Sequence, residues 1–240
     1  MINLNFSAVV FAIDTLILAF FVYRIRIVLK KENIDPRLPE NQLSTDSRLA
    51  KYFYGTILIL MSSFFVFACD LFFFYSDMYY FIFYKIIGDG LLFASFAYGV
   101  NIPLSLKFPQ INKRLVVIVL LIFSFLLDIY QVFNPPRPEI IKGVIFWNLD
   151  LSVSLSMYIF GLIAWLPTGI LFLNEGIKNK KYFIKHLLLG LSFIIISLTG
   201  PLMLVTKSIA LVIMSQIAMT VGYLLLFFGM FYRKSSHKND

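Results

Sequence analysis

The sequence predicts an all-α fold: a polytopic membrane bundle of seven transmembrane helices, with the N-terminus outside and the C-terminus cytoplasmic. Three observations predict it. Hydrophobic residues fill 60% of the 240 positions and charged residues only 14%, against about 45–50% and about 25% in soluble domains. Seven apolar runs are each long enough to cross roughly 30 Å of hydrocarbon at 1.5 Å per residue. Lys and Arg collect at the ends of those runs that share one side of the membrane.

The first run, Asn5–Leu29, follows a start (MINLN) without the basic n-region or small-residue cleavage site of a leader, so it is read as a retained helix. Asp35-Pro36 and Leu38-Pro39 break the chain after it. The second run, Tyr52–Tyr75, opens on Tyr52 and Tyr54, ring types that favour the headgroup level. The third, Tyr79–Leu106, starts on Tyr79 and Tyr80, and Asn101-Ile102-Pro103 is expected to kink its inner end. The fourth, Leu115–Phe133, stops at Asn134-Pro135-Pro136-Arg137-Pro138, which cannot continue a helix. The fifth, Asn148–Leu173, follows an interfacial Trp147 and contains Trp165-Leu166-Pro167. The sixth, Phe183–Leu204, follows Tyr182 and carries Gly200-Pro201. The seventh, Ser208–Tyr232, precedes a polar tail. All are continuous rather than alternating, which excludes barrel strands as the main element. Residues 1–240 read as one domain.

Orientation follows from the basic residues. Seventeen of the 21 Lys and Arg fall in segments 24–51, 107–114, 178–185 and the tail after Tyr232. Only Lys85, Arg137, Lys142 and Lys207 fall elsewhere. The richer side is cytoplasmic by the positive-inside rule, and the protein is expected in the cell membrane. The 30–51 loop reads as a solvated linker with basic ends on anionic lipid, and as the place where a cytoplasmic signalling partner would dock.

Composition excludes several functions. A single Cys, Cys69, permits no internal disulfide or thiolate cluster. Two His, His186 and His237, are too few for a bis-His haem in the bundle or a zinc hydrolase site. No cofactor, metal or enzymatic chemistry is expected. The net charge of +8 flanks apolar runs rather than forming a basic domain, so nucleic acid is not an expected partner. The 27 Phe are read as lipid-facing filler rather than a ligand cage.

Ionisable residues inside a span cost about 2.5–3.5 kcal/mol each at the helix centre and mark candidate sites. Asp14 lies about nine residues into the first run, roughly 14 Å deep. Asp89 lies at a similar depth in the third run. Lys85 sits one turn from it on the same face. Asp70 and Gln216 lie in the outer parts of the second and seventh runs, and Trp165 accompanies the Pro167 kink. These six residues are the expected ligand-binding or proton-relay set. Lys85 is expected to pair with Asp89 and with Asp14 or Asp70. The same charges can instead lock helices together. Asp128 and Asp150 read as interface residues, Thr220 as a packing residue, and His186 as interfacial. The inner half carries almost no buried charge.

Seven spans with an outside N-terminus resemble the microbial rhodopsins in size and topology. Their retinal lysine would fall where this sequence reads Ser215-Gln216-Ile217-Ala218-Met219-Thr220, so retinal chemistry is not implied. The topology also resembles the SWEET sugar transporters, but the first two spans lack Pro and no repeat is visible. It further resembles the seven-helix sensory regions of histidine kinases, without an attached output domain. That resemblance implies a receptor-like protein taking a small-molecule ligand or proton from outside. A small-solute or proton-coupled transporter and a non-catalytic assembly subunit are the alternatives.

Overall fold

A computed structural model describes residues 5–31 and 45–232 of the protein. Residues 32–44 lie outside the described residues, and with them most of the expected partner-docking loop. So do residues 233–240, which include His237.

The architecture is helical. Helix α1 is Phe6–Lys31, α2 is Thr45–Cys69, α3 is Met78–Gly99, α4 is Asn101–Lys107 and α5 is Lys113–Phe133. A hairpin of β1 (Glu139–Ile141) and β2 (Val144–Phe146) follows, then α6 (Leu151–Lys178), α7 (Phe183–Val205) and α8 (Ile209–Phe231). Among the described residues seven helices are long and apolar enough to span a membrane, with α3 and α4 forming one span. The protein is therefore a multi-pass membrane protein by length and composition. Helices suit that solvent because they satisfy their own backbone hydrogen bonds.

Local chemistry sets the helix ends. Asp77 caps α3, accepting from the Tyr79 and Tyr80 amides. Asn112 accepts from the Leu115 amide at the start of α5, and Asp150 accepts from the Ser152 amide at the start of α6. Each supplies an acceptor that the first turn lacks. Helix α6 begins three residues later than the apolar run suggests, because Asp150 is its cap and Asn148 adopts a left-handed φ of 45°. It also runs on to Lys178, since Asn174, Glu175 and Lys178 are compatible with a helix although not apolar. Pro103 falls in the first turn of α4, after a break at Val100, where a missing amide costs little.

The proline segment after α5 leads into a feature that hydropathy does not reveal. In the hairpin Glu139 pairs with Phe146, Ile140 with Ile145 and Ile141 with Val144. Lys142 (φ 52°) and Gly143 (φ 79°) make the two-residue turn, whose backbone matches strand twist. The hairpin closes over the start of α1: the Ser7 amide donates to the Gly143 carbonyl at 3.3 Å, and the Ile145 amide donates to Ser7 Oγ at 3.0 Å.

Helices α1, α2, α3, α6, α7 and α8 pack in a closed ring, each on the next and α8 back on α1. Helix α5 stands outside the ring, packed mainly on α3. The α6–α7 seam brings backbones together, since a Cβ built on Gly169 would lie 2.9 Å from the Gly190 carbonyl oxygen. The Phe residues divide evenly, which corrects the lipid-filler expectation. Eleven are buried, including Phe11, Phe64, Phe67 and Phe193, and eleven are exposed. Tilted and edge-on ring pairs such as Phe64–Tyr223, 5.6 Å apart, fill the ring's interior.

Candidate functional site

The buried charges Asp14, Asp70, Lys85 and Asp89 all lie in the half of the bundle nearest the hairpin. They form two clusters rather than one.

The first cluster is built on α3. Lys85 and Asp89, one turn apart, form a fully buried ion pair. Glycines on either side of Asp89 admit the neighbours. A Cβ on Gly88 would meet Phe67 at 2.3 Å, and one on Gly90 would lie 2.8 Å from Asp128 Oδ2. The bare backbone at Gly88 also lets Ser63 Oγ donate to its carbonyl at 2.7 Å. Across Gly90, α5 thus delivers Asp128, and one turn on it carries Gln131, which is buried with neither side-chain amide atom hydrogen-bonded. Asp70 comes from the end of α2, where the helix widens into a π-helical turn over Asp70–Phe74. Such turns carry an extra residue per turn and recur at functional sites. Asp70, Asp89 and Asp128 all act electrostatically on Lys85. Neither Asp70 oxygen has a hydrogen-bond partner, and Asp128 Oδ1 has none. The Lys85 ammonium lies 5.3 Å from the centre of the Trp147 ring, and that ring stacks at 15° on Phe81.

The second cluster ties α1 to α8. Thr220 Oγ1 donates to Asp14 Oδ1 at 2.6 Å. Gln216 Nε2 donates to Ser7 Oγ at 3.0 Å, the same oxygen that the hairpin's Ile145 amide reaches. Asp14 Oδ2 is buried without a partner.

Of the six expected residues, the structure brings Asp70, Lys85 and Asp89 together. Asp14 and Gln216 belong to the second cluster. Trp165 stands apart, edge-on to Phe96 and Phe193. It lines a 20 Å³ apolar cavity with Gly161, Pro201 and Tyr223. That cavity is smaller than a small-molecule site.

Three participants were read as something else in the sequence. Asp128 is not only an interface residue, because it faces the ion pair. Trp147, read as an interfacial ring at a span end, is 3% exposed and packed on Phe67 and Phe81. Thr220 does more than pack, because it holds Asp14. Gln131 was missed altogether. Its signal was the polar stripe Ser124, Asp128 and Gln131, which repeats at helical spacing on the otherwise apolar α5.

Among the described residues no His, Cys, Asp or Glu side chains are grouped to hold a metal ion. Chemically, the first cluster offers three carboxylates, one amine and one amide, all buried except the partly buried Asp128. That is a set able to share and exchange protons.

No protein-family model matches this sequence. No curated protein and no solved structure matches it either.

Proposed function

We propose that the protein is a receptor-like sensory membrane protein, oriented with the hairpin outside the cell. Its Asp70–Lys85–Asp89–Asp128 cluster would bind protons to set the packing of α5 on α3. The observation that carries this reading is the charge count. Three carboxylates from three separate helices, Asp70 and Asp89 buried and Asp128 partly buried, act on one buried ammonium. In hydrocarbon a surplus carboxylate charge is costly, and one ammonium balances only one of the three. Protons supply the remaining neutrality.

Loss of a proton would put like charges in one low-dielectric site. The helix best able to respond is α5, which lies outside the ring. A proton acts as a signal only if it binds two arrangements with different affinity. The two arrangements proposed are α5 seated on, and displaced from, Gly90. Transport is less well supported, because the buried charged residues stop in the hairpin half. An assembly subunit is also less well supported, because those charges face the bundle interior rather than an outside partner.

The test is infrared difference spectroscopy of the purified protein in lipid nanodiscs across a pH titration. The protonated-carboxyl band should titrate in the parent protein, and part of it should vanish in Asp128→Asn and in Asp70→Asn. A band unchanged by pH and by both substitutions would leave the cluster as a structural lock and remove the sensory reading.

A further inference from the structure

A cavity of about 220 Å³ lies at the hairpin end, between the β2–α6 connection and the α7–α8 connection. Trp147, Asn148 and Ser154 line one side of it, and Leu204, Thr206 and Lys207 the other. From these residues we infer that the cavity binds a small amphiphilic organic anion, a carboxylate carried on a short apolar body.

Each part of that description has a counterpart in the lining. Lys207 is the only charged residue among the lining side chains, and no acid joins it there. No ion pair occupies it among the described residues. The nearby Asp150 is not part of the wall. Its carboxylate is engaged by the amide and hydroxyl of Ser152. Asn148 and Thr206 add polar groups beside the lysine, while Trp147, Leu149, Leu151 and Leu204 supply an apolar surface. A charged head against Lys207 and a short hydrocarbon body against Trp147 would satisfy both kinds of wall. The volume, below the usual range for drug-sized ligands, limits the body to a few carbons.

Trp147 gives the site a consequence. One residue is both a wall of this cavity and the ring over the Lys85 ammonium. Its backbone is held in place: the adjoining Asn148 takes a left-handed φ of 45° and donates through Nδ2 to the Arg137 carbonyl at 3.0 Å. A bound anion would therefore act on the ion pair through the indole. This inference goes beyond the proton reading and does not require it, since binding at Lys207 stands whether or not the buried cluster titrates.

The experiment uses the full chain in nanodiscs with Trp165→Phe, which leaves Trp147 as the sole tryptophan. Hexanoate is the probe, with hexanamide as its uncharged match. Hexanoate should shift Trp147 emission saturably, and hexanamide should not. Lys207→Gln should weaken the response by about tenfold, the loss expected for one charge-assisted contact. Val205→Phe, at an exposed lining position, should abolish it by filling the cavity. Asp128→Asn should leave hexanoate binding intact, which separates this site from the proton cluster. An equal response to hexanamide, or an unchanged affinity in Lys207→Gln, would overturn the inference. So would an emission shift produced by anionic-lipid nanodiscs and not by hexanoate, which would assign Lys207 to lipid headgroups.

Discussion

Thr220 Oγ1 donates to Asp14 Oδ1 at 2.6 Å across 206 positions of sequence, joining α8 to α1 inside the apolar bundle. The contact closes the helix ring between the first and the last described helices. Thr220 has a second acceptor in the Gln216 carbonyl at 3.2 Å, whereas Asp14 Oδ2 has no partner. The dependence is therefore lopsided. Thr220→Val should cost about 0.6–1.7 kcal/mol, the range measured for interhelical hydrogen bonds in membranes. Asp14→Asn should stay near the parent, because an amide oxygen accepts the same bond. Reversible unfolding in mixed detergent would measure both. A Thr220→Val protein as stable as the parent would remove the contact's role.

The α6–α7 seam makes a prediction with an internal control. A methyl group on Gly169 would meet the Gly190 carbonyl at 2.9 Å and Ile194 Cγ1 at 2.8 Å. One on Gly200 would meet only Met219 Sδ, at 3.7 Å. Backbone cannot yield as a side-chain tip can. Gly169→Ala should therefore destabilise by about 1–3 kcal/mol through overpacking. Gly200→Ala should be neutral, or stabilising by up to about 1 kcal/mol through helix propensity. Thermal midpoints of the two variants decide it, and equal losses would show that the seam is not close-packed.

Asp150 lies outside the spans and offers a pH test. Hydrogen bonds from the Ser152 hydroxyl and amide hold its carboxyl below the usual carboxylate range. A depressed native value means that the charged cap stabilises the fold fully above the ordinary Asp range. That contribution fades as pH falls through the lowered value. Asp150→Ala should lower the thermal midpoint by a few degrees at neutral pH, and the gap to the parent should close in strong acid. Asp150→Asn, which keeps an acceptor without the charge, should recover only part of the loss at neutral pH and lack that acid limb. A gap that persists in strong acid would mean that the cap does not act through its charge.

The seven spans were legible because continuous apolar runs, Pro breaks and aromatic run ends are local signals. The predicted and observed ends differ by five residues or fewer at every span. The hairpin was not legible in hydropathy, although Lys142-Gly143 between short apolar stretches carries its turn chemistry. The pairing of Lys85 with Asp89 was readable from their spacing on one helix. The arrival of Asp128 was not, because it depends on α5 crossing α3 at Gly90, and no local pattern encodes where two helices cross. The π-helical turn that carries Asp70 inward was equally hidden, since it adds a residue to one turn without any composition change.

By itself the sequence determined that seven segments are long and apolar enough to cross a membrane, and that a few charges lie within them. Both bear on the fold through the cost of apolar surface in water and of charge in hydrocarbon, which act residue by residue. Only the tertiary structure decided which charges share a site. Lys85 pairs with Asp89, with Asp70 and Asp128 near enough to act on it electrostatically, while Asp14 joins Thr220 instead. Partner choice between helices is set by close approach at glycines and by helix crossing. Those are properties of packed surfaces and not of any one segment.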